Sequence, residues 1–102
     1  MAIGQVRGFA VYRMSKASVY ILLCNNGRYY IGSTNDLDRR MSEHVNGQVS
    51  STKNILPVEL IFSQECANLT IARRTEYALK KRKSRKIIDQ IVHDGIIKCA
   101  GD

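Results

Sequence analysis

Residues 18–32 read SVYILLCNNGRYYIG, from Ser18 to Gly32. Ser18–Cys24 is mostly apolar, with β-branched and aromatic members, and fits a well-buried strand. Asn25-Asn26-Gly27 is a turn signal, and Arg28–Gly32 is a second short strand, so the stretch predicts a β-hairpin. Its register depends on the loop. A two-residue Asn26-Gly27 turn, which turn statistics alone favour, sets Cys24 opposite Tyr29 and sends Tyr20 and Tyr30 to opposite faces. A three-residue loop with Gly27 left-handed sets Cys24 opposite Arg28, Leu22 opposite Tyr30 and Tyr20 opposite Gly32. Both tyrosines then share a face, and Gly32 leaves space beside Tyr20 for a ligand. The three-residue loop is adopted, because a shared tyrosine site requires it.

Beyond the hairpin, Asn35–Asn46 reads as a helix. Thr34 or Asn35 caps it, Asp36 and Asp38 suit the positive end of its dipole, and Gly47 ends it. Leu37, Met41 and Val45 fall at i, i+4, i+8 and predict its core stripe. Residues 48–57 form a polar loop closed by the only proline, and Val58–Phe62 a third strand. Asn68 caps a second helix over 69–83, and Ser84 a third over 85–93 that stops before Gly95. The order is β-β-α-β-α-α, an α+β fold in one domain over residues 16–95. Residues 1–15 are an uncommitted N-terminal extension, expected to be poorly ordered, and 96–102 a C-terminal tail.

The chain has 102 residues, enough for one modest core, and 44% hydrophobic residues set it apart from disordered sequences. Sixteen Lys+Arg against nine Asp+Glu give a formal charge of +7, which favours a polyanionic partner. No apolar run is long enough to span a membrane. Cys24, Cys66 and Cys99 show no zinc spacing and read as reduced, mostly buried thiols of a cytoplasmic protein.

Three groups of residues carry candidate chemistry. Glu76 shares a helical face with Leu69, Ala72 and Leu79, and a carboxylate on such a stripe needs a metal ion, an arginine or a path to water. Arg40 and His44 lie one turn apart on the first helix: a guanidinium suited to a phosphate, or to pairing with Asp36 or Glu43, and an imidazole able to pass a proton. Lys80, Lys81, Arg82 and Lys83, with Arg85 and Lys86, form either a solvated helix face or a phosphate-contacting ridge.

Tyr20 and the run Tyr30-Ile31-Gly32 carry a resemblance to the GIY-YIG nuclease family. The segments 19–44 and 57–62, followed by the Glu76 helix, resemble its small standalone bacterial members over about residues 17–90. Ser18-Val19-Tyr20 stands where the first motif is expected, and Tyr30-Ile31-Gly32 is intact. Arg40 matches the helix arginine, His44 the residue one turn later, Glu76 the metal-binding glutamate, and Thr52-Lys53 with Pro57 the loop before the third strand. No asparagine follows Glu76, so the late active-site Asn of some members is absent. Small members often begin just before the first strand, which makes Met14 an alternative start.

The resemblance implies a small three-stranded, mostly antiparallel sheet flanked by helices. It also implies a metal-dependent endonuclease acting on DNA, in repair, recombination or mobile-element processing. Glu76 holds one Mg²⁺ or Mn²⁺, Arg40 contacts a phosphate oxygen, Tyr20 serves as general base or orients the water with Tyr30 beside it, and His44 relays the proton. Tyr20, Tyr30, Arg40 and Glu76 are expected to gather over one side of the sheet. Gly32, Lys53, Lys80, Lys81, Lys83 and Arg85 are the expected nucleic-acid contacts. The rival readings are a non-catalytic nucleic-acid-binding module and a DNA-positioned subunit of a larger complex.

Overall fold

A computed structural model describes residues 16–97 and 99. The expected N-terminal extension lies outside the described residues. Strands β1 (Ala17–Cys24), β2 (Tyr29–Thr34) and β3 (Val58–Cys66) alternate with helices α1 (Leu37–Val45), α2 (Leu69–Arg82) and α3 (Arg85–Asp94) in the order β1-β2-α1-β3-α2-α3. The sheet runs β2-β1-β3, with both pairs antiparallel.

The hairpin takes the three-residue loop. Gly27 is left-handed at φ 83°, and the Cys24 amide donates to the Arg28 carbonyl at 2.9 Å. Leu22 pairs with Tyr30, and Tyr20 with Gly32. Side chains alternate across a strand, so this register fixes both faces. Val19, Ile21, Ile31, Phe62 and Cys66 form the core face, covered by Ala72 and Leu79 of α2 and Ile88 of α3. Tyr20, Leu22 and Tyr30 point the other way, toward α1 and the loop that follows it.

Three expectations about burial and ends are corrected. Strand β3 runs four residues beyond Phe62, because Ser63–Glu65 continue to pair with β1 although they are polar and form an outer strand of the sheet. The α1 stripe is rotated: Val45 is 61% exposed and His44 is fully buried. Leu37 and Met41 stay half-buried, while His44 is buried because its hydrogen-bond partners lie beneath α1, and apolar periodicity is blind to that. The loop after α1 is not simply polar cover, since Val49 and Thr52 are both buried.

Helix ends follow the expected chemistry more closely. The exception is the α1 cap, which is Asp36 and not Thr34 or Asn35, its side chain accepting from the Arg39 amide at 3.1 Å. Asn68 and Ser84 cap α2 and α3, and Gly95 closes α3 at φ 79°.

The cysteines are the remaining correction. Cys66, at the end of β3, and Cys99 form a disulfide with Cα atoms 6.1 Å apart, leaving Cys24 as the free, buried thiol among the described residues. Spacing along the chain hid the pair, because 33 residues separate two positions that the return of the chain after α3 brings together. Ile97 also packs against the core. A bonded pair removes the cysteine argument for a reducing compartment. Among the described residues no helix is long and apolar enough to cross a membrane.

Candidate active site at the sheet edge

The Tyr20 hydroxyl shares a hydrogen bond with His44 Nε2 at 2.9 Å, and His44 Nδ1 shares one with Thr52 Oγ1 at 2.8 Å. All three side chains are fully buried. The chain of bonds has two proton arrangements. Either Tyr20 donates to Nε2 and Nδ1–H donates to Thr52, or Thr52 donates to Nδ1 and Nε2–H donates to Tyr20. Burial, and then the nearby Arg40 charge, hold the His44 pKa below its ordinary 6.5, while Glu43 opposes them. The imidazole is therefore neutral at neutral pH and able to accept a proton.

Gly32 sits directly across from Tyr20. A Cβ at Gly32 would lie 2.5 Å from the Tyr20 hydroxyl oxygen. The space the glycine leaves is thus filled by the Tyr20 ring itself and is not left for a ligand. This changes the reading of Gly32 from a nucleic-acid contact to the spacer that lets the phenol lie flat over the strand toward the sheet edge. Tyr30 lies beside it with ring centres 6.3 Å apart, and Tyr30 and His44 meet edge to face at 5.1 Å.

Arg40 closes the cluster. Its guanidinium donates to Glu43 at 3.0 Å, and its side chain is 34% exposed. Polar contact with Tyr20, and then with Glu43, pushes its pKa above the ordinary value. Burial pushes the Tyr20 pKa up to about 12. Arg40 pulls it down, while Tyr30 and Glu76 raise it further.

Glu76 arrives from the opposite layer. It projects from α2, which packs on the core face, and accepts from Ser33 Oγ at 2.5 Å and Lys80 Nζ at 2.6 Å. Ser33 follows Gly32 on β2, so the carboxylate meets the sheet at its β2 edge. The four residues therefore do not gather over one side of the sheet. Tyr20, Tyr30 and Arg40 approach the edge from one face and Glu76 from the other, which is possible because β2 is an outer strand of the sheet among the described residues. Arg39, Arg40 and Arg73 line a hollow of about 280 Å³ beside Ser33 at this edge.

A family model described as the GIY-YIG catalytic domain matches residues 16–88. This chain belongs to the GIY-YIG family. A UPF0213 protein of Streptococcus pneumoniae serotype 4 is 42% identical over 69 residues, covering 67% of this chain and 70% of that protein. The UPF0213 protein XAC3202 of Xanthomonas axonopodis pv. citri is 41% identical over 71 residues, covering 68% and 70%. The solution NMR structure of the UPF0213 protein BH0048 from Bacillus halodurans matches at TM-score 0.50 and 34% identity, over 76% of this chain and 83% of that one.

On this GIY-YIG scaffold the basic residues divide by partner. Arg85 stacks 4.3 Å from the Tyr29 ring centre and donates to the Gly27 carbonyl at 2.6 Å. Tyr29 donates in turn to Asp89. Lys81 sits 5.6 Å from the Tyr77 ring centre. Arg28, Tyr30, Lys80, Lys83 and Arg85, over an apolar floor that includes Leu79 and Ile88, line a cleft of about 950 Å³. Lys53 is exposed on the loop, next to buried Thr52. Sequence reasoning missed Thr52, Ser33 and Arg73 as site residues. Thr52 stood inside a quoted motif; Ser33 and Arg73 carry no local signal, because only the docking of α2 against β2 gives them a role.

Proposed function

We propose that this GIY-YIG protein is a metal-dependent endonuclease that hydrolyses phosphodiester bonds in DNA. The observation that carries the reading is the meeting of the buried Tyr20–His44–Thr52 relay, the Arg40 guanidinium and the Glu76 carboxylate at the β2 edge. Phosphodiester hydrolysis needs an activated water, charge neutralisation at the phosphate and help for the leaving oxygen, and these groups match those needs.

The donor set suits one hard cation with a largely aqueous shell. Glu76 supplies a half-buried carboxylate and Ser33 a hydroxyl beside it, and among the described residues no group of three His, Cys, Asp or Glu side chains forms a closed metal cage. When bound through Glu76, Mg²⁺ or Mn²⁺ supplies positive charge to the scissile phosphate and its leaving oxygen.

The chain's own residues do the rest. Arg40 binds a non-bridging oxygen of the phosphate, with Arg73 across the same hollow. Drawing Arg40 outward onto the phosphate uncovers the Tyr20 hydroxyl. A phenol with a pKa near 12 is a poor base alone. It acts by taking a proton from water while handing its own to neutral His44 Nε2, and Thr52 accepts from Nδ1–H to fix that tautomer. Tyr30 packs on both rings and limits their movement. The cleft lined by Arg28, Lys80, Lys83 and Arg85 carries the flanking phosphates.

The test is cleavage of labelled single-stranded, duplex and flap DNA with Mg²⁺ or Mn²⁺. The expected result is metal-dependent cutting of at least one form. Arg40→Ala is expected to lose about 2–4 kcal/mol of transition-state stabilisation, as for removal of an oxyanion donor. Binding without cutting, on every form and with either metal, replaces the nuclease reading by that of a binding module.

A further inference from the structure

Both oxygens of the Glu76 carboxylate are engaged from within the chain. Ser33 Oγ donates to Oε1 at 2.5 Å, and Lys80 Nζ donates to Oε2 at 2.6 Å. The two ends of the ion pair sit in different surroundings: the Glu76 side chain is 21% exposed and the Lys80 side chain 51%. The acid is partly withdrawn from water and gains from a positive neighbour, while the ammonium, on a flexible four-carbon stem, leaves at little cost. Lys80 also lines the cleft formed with Arg28, Tyr30 and Arg85. One side chain thus stands between the acid and the path of a polyanion.

We propose that Lys80 is a resident occupant of the Glu76 carboxylate, holding it in the cation-free protein and moving into the cleft when a divalent cation binds. The proposal rests on the reading of Glu76 as the ligand of that cation. A divalent ion on Glu76 repels an ammonium held at the same oxygen, so the two exchange places. The freed ammonium then faces the cleft, where a nucleic-acid phosphate accepts it. The converse holds by linkage: a strand that draws Lys80 away leaves Glu76 open, so cation and strand favour each other's binding. An ordinary exposed pair one helical turn apart does nothing of this kind. Lys81, its neighbour on the same turn, provides the comparison, since it contacts Tyr77 and not Glu76.

The experiment titrates Mn²⁺ into the full chain and reads free Mn²⁺ by electron paramagnetic resonance, with no nucleic acid present, for wild type, K80M, K81M and E76Q. Lys80 and Lys81 are exposed on the last turn of α2, and circular dichroism checks that each variant keeps its fold. The proposal expects K80M to bind Mn²⁺ about three- to fivefold more tightly than wild type, the upper end of the scale of one exposed ion pair removed. K81M loses the same charge and is expected to stay within about twofold of wild type, and E76Q to lose the site. Equal affinity in K80M and wild type, or equal tightening in K80M and K81M, overturns the role of Lys80 and leaves Glu76 as ligand. Unchanged binding in E76Q, or no binding by either wild type or K80M, overturns the Glu76 reading and this proposal with it.

Discussion

Tyr20 and Gly32 work as one unit, because the ring occupies the volume a side chain at 32 would need. With a Cβ 2.5 Å from a fully buried hydroxyl, Gly32→Ala forces either the strand or the phenol to move. The expected cost is about 1–3 kcal/mol, the usual range for overpacking, read as a lowered thermal midpoint, with DNA cleavage reduced more than stability. A cleavage rate equal to wild type would show that the position of Tyr20 does not matter. Tyr20→Phe keeps the ring and removes the hydroxyl, leaving His44 Nε2 buried without its partner. A loss of about 1–3 kcal/mol in stability is expected, together with loss of cutting.

At the scale of elements, the His44 relay joins β1, α1 and the loop after it, and its protonation state couples them. The folded-state pKa of His44 lies below the ordinary 6.5, so in the window beneath 6.5 the unfolded chain binds more protons than the folded one. The stability this contributes is fully present above 6.5 and is lost as pH falls through the folded pKa. Denaturant titrations are expected to show a midpoint that drops on acidification, and His44→Gln a weaker drop; identical slopes would remove His44 from the effect. Tyr20 acts at the other end. Its folded pKa, raised from 10.0 to about 12, gives stability present below pH 10 and lost as pH rises through 12.

The same elements show which features were legible in the chain. The hairpin, the caps of α2 and α3 and the order of elements along the chain follow from turn residues, cap residues and apolar runs, because those signals are local. The shared face of Tyr20 and Tyr30 followed only once a functional requirement chose between two loops. The rotation of α1 stayed hidden because Val45 fits an apolar stripe better than His44 does, and only the polar partners beneath make burial of the imidazole favourable. The approach of Glu76 from the far layer, its contact with Ser33 and the Cys66–Cys99 bond all depend on which elements meet in space.

For the whole molecule, charge and cross-linking give two further outcomes. A formal charge of +7 and a cleft lined by Arg28, Lys80, Lys83 and Arg85 predict DNA binding that weakens steeply with salt. Each phosphate contact contributes a slope of about 0.7–0.9 in log–log form, and a flat dependence would remove the cleft from the mechanism. Thiol titration of denatured, unreduced protein is expected to find the single free thiol of Cys24, and reduced protein all three cysteines.

The central claim is that Glu76, reaching the β2 edge from α2, completes a hydrolytic site with Tyr20 and Arg40. Its most direct test is the rate of Mg²⁺- or Mn²⁺-dependent cutting of labelled DNA by wild type beside Glu76→Ala, with the fold of both checked by circular dichroism. The account predicts cutting by wild type and none above background by the folded variant; undiminished cutting by Glu76→Ala would contradict it.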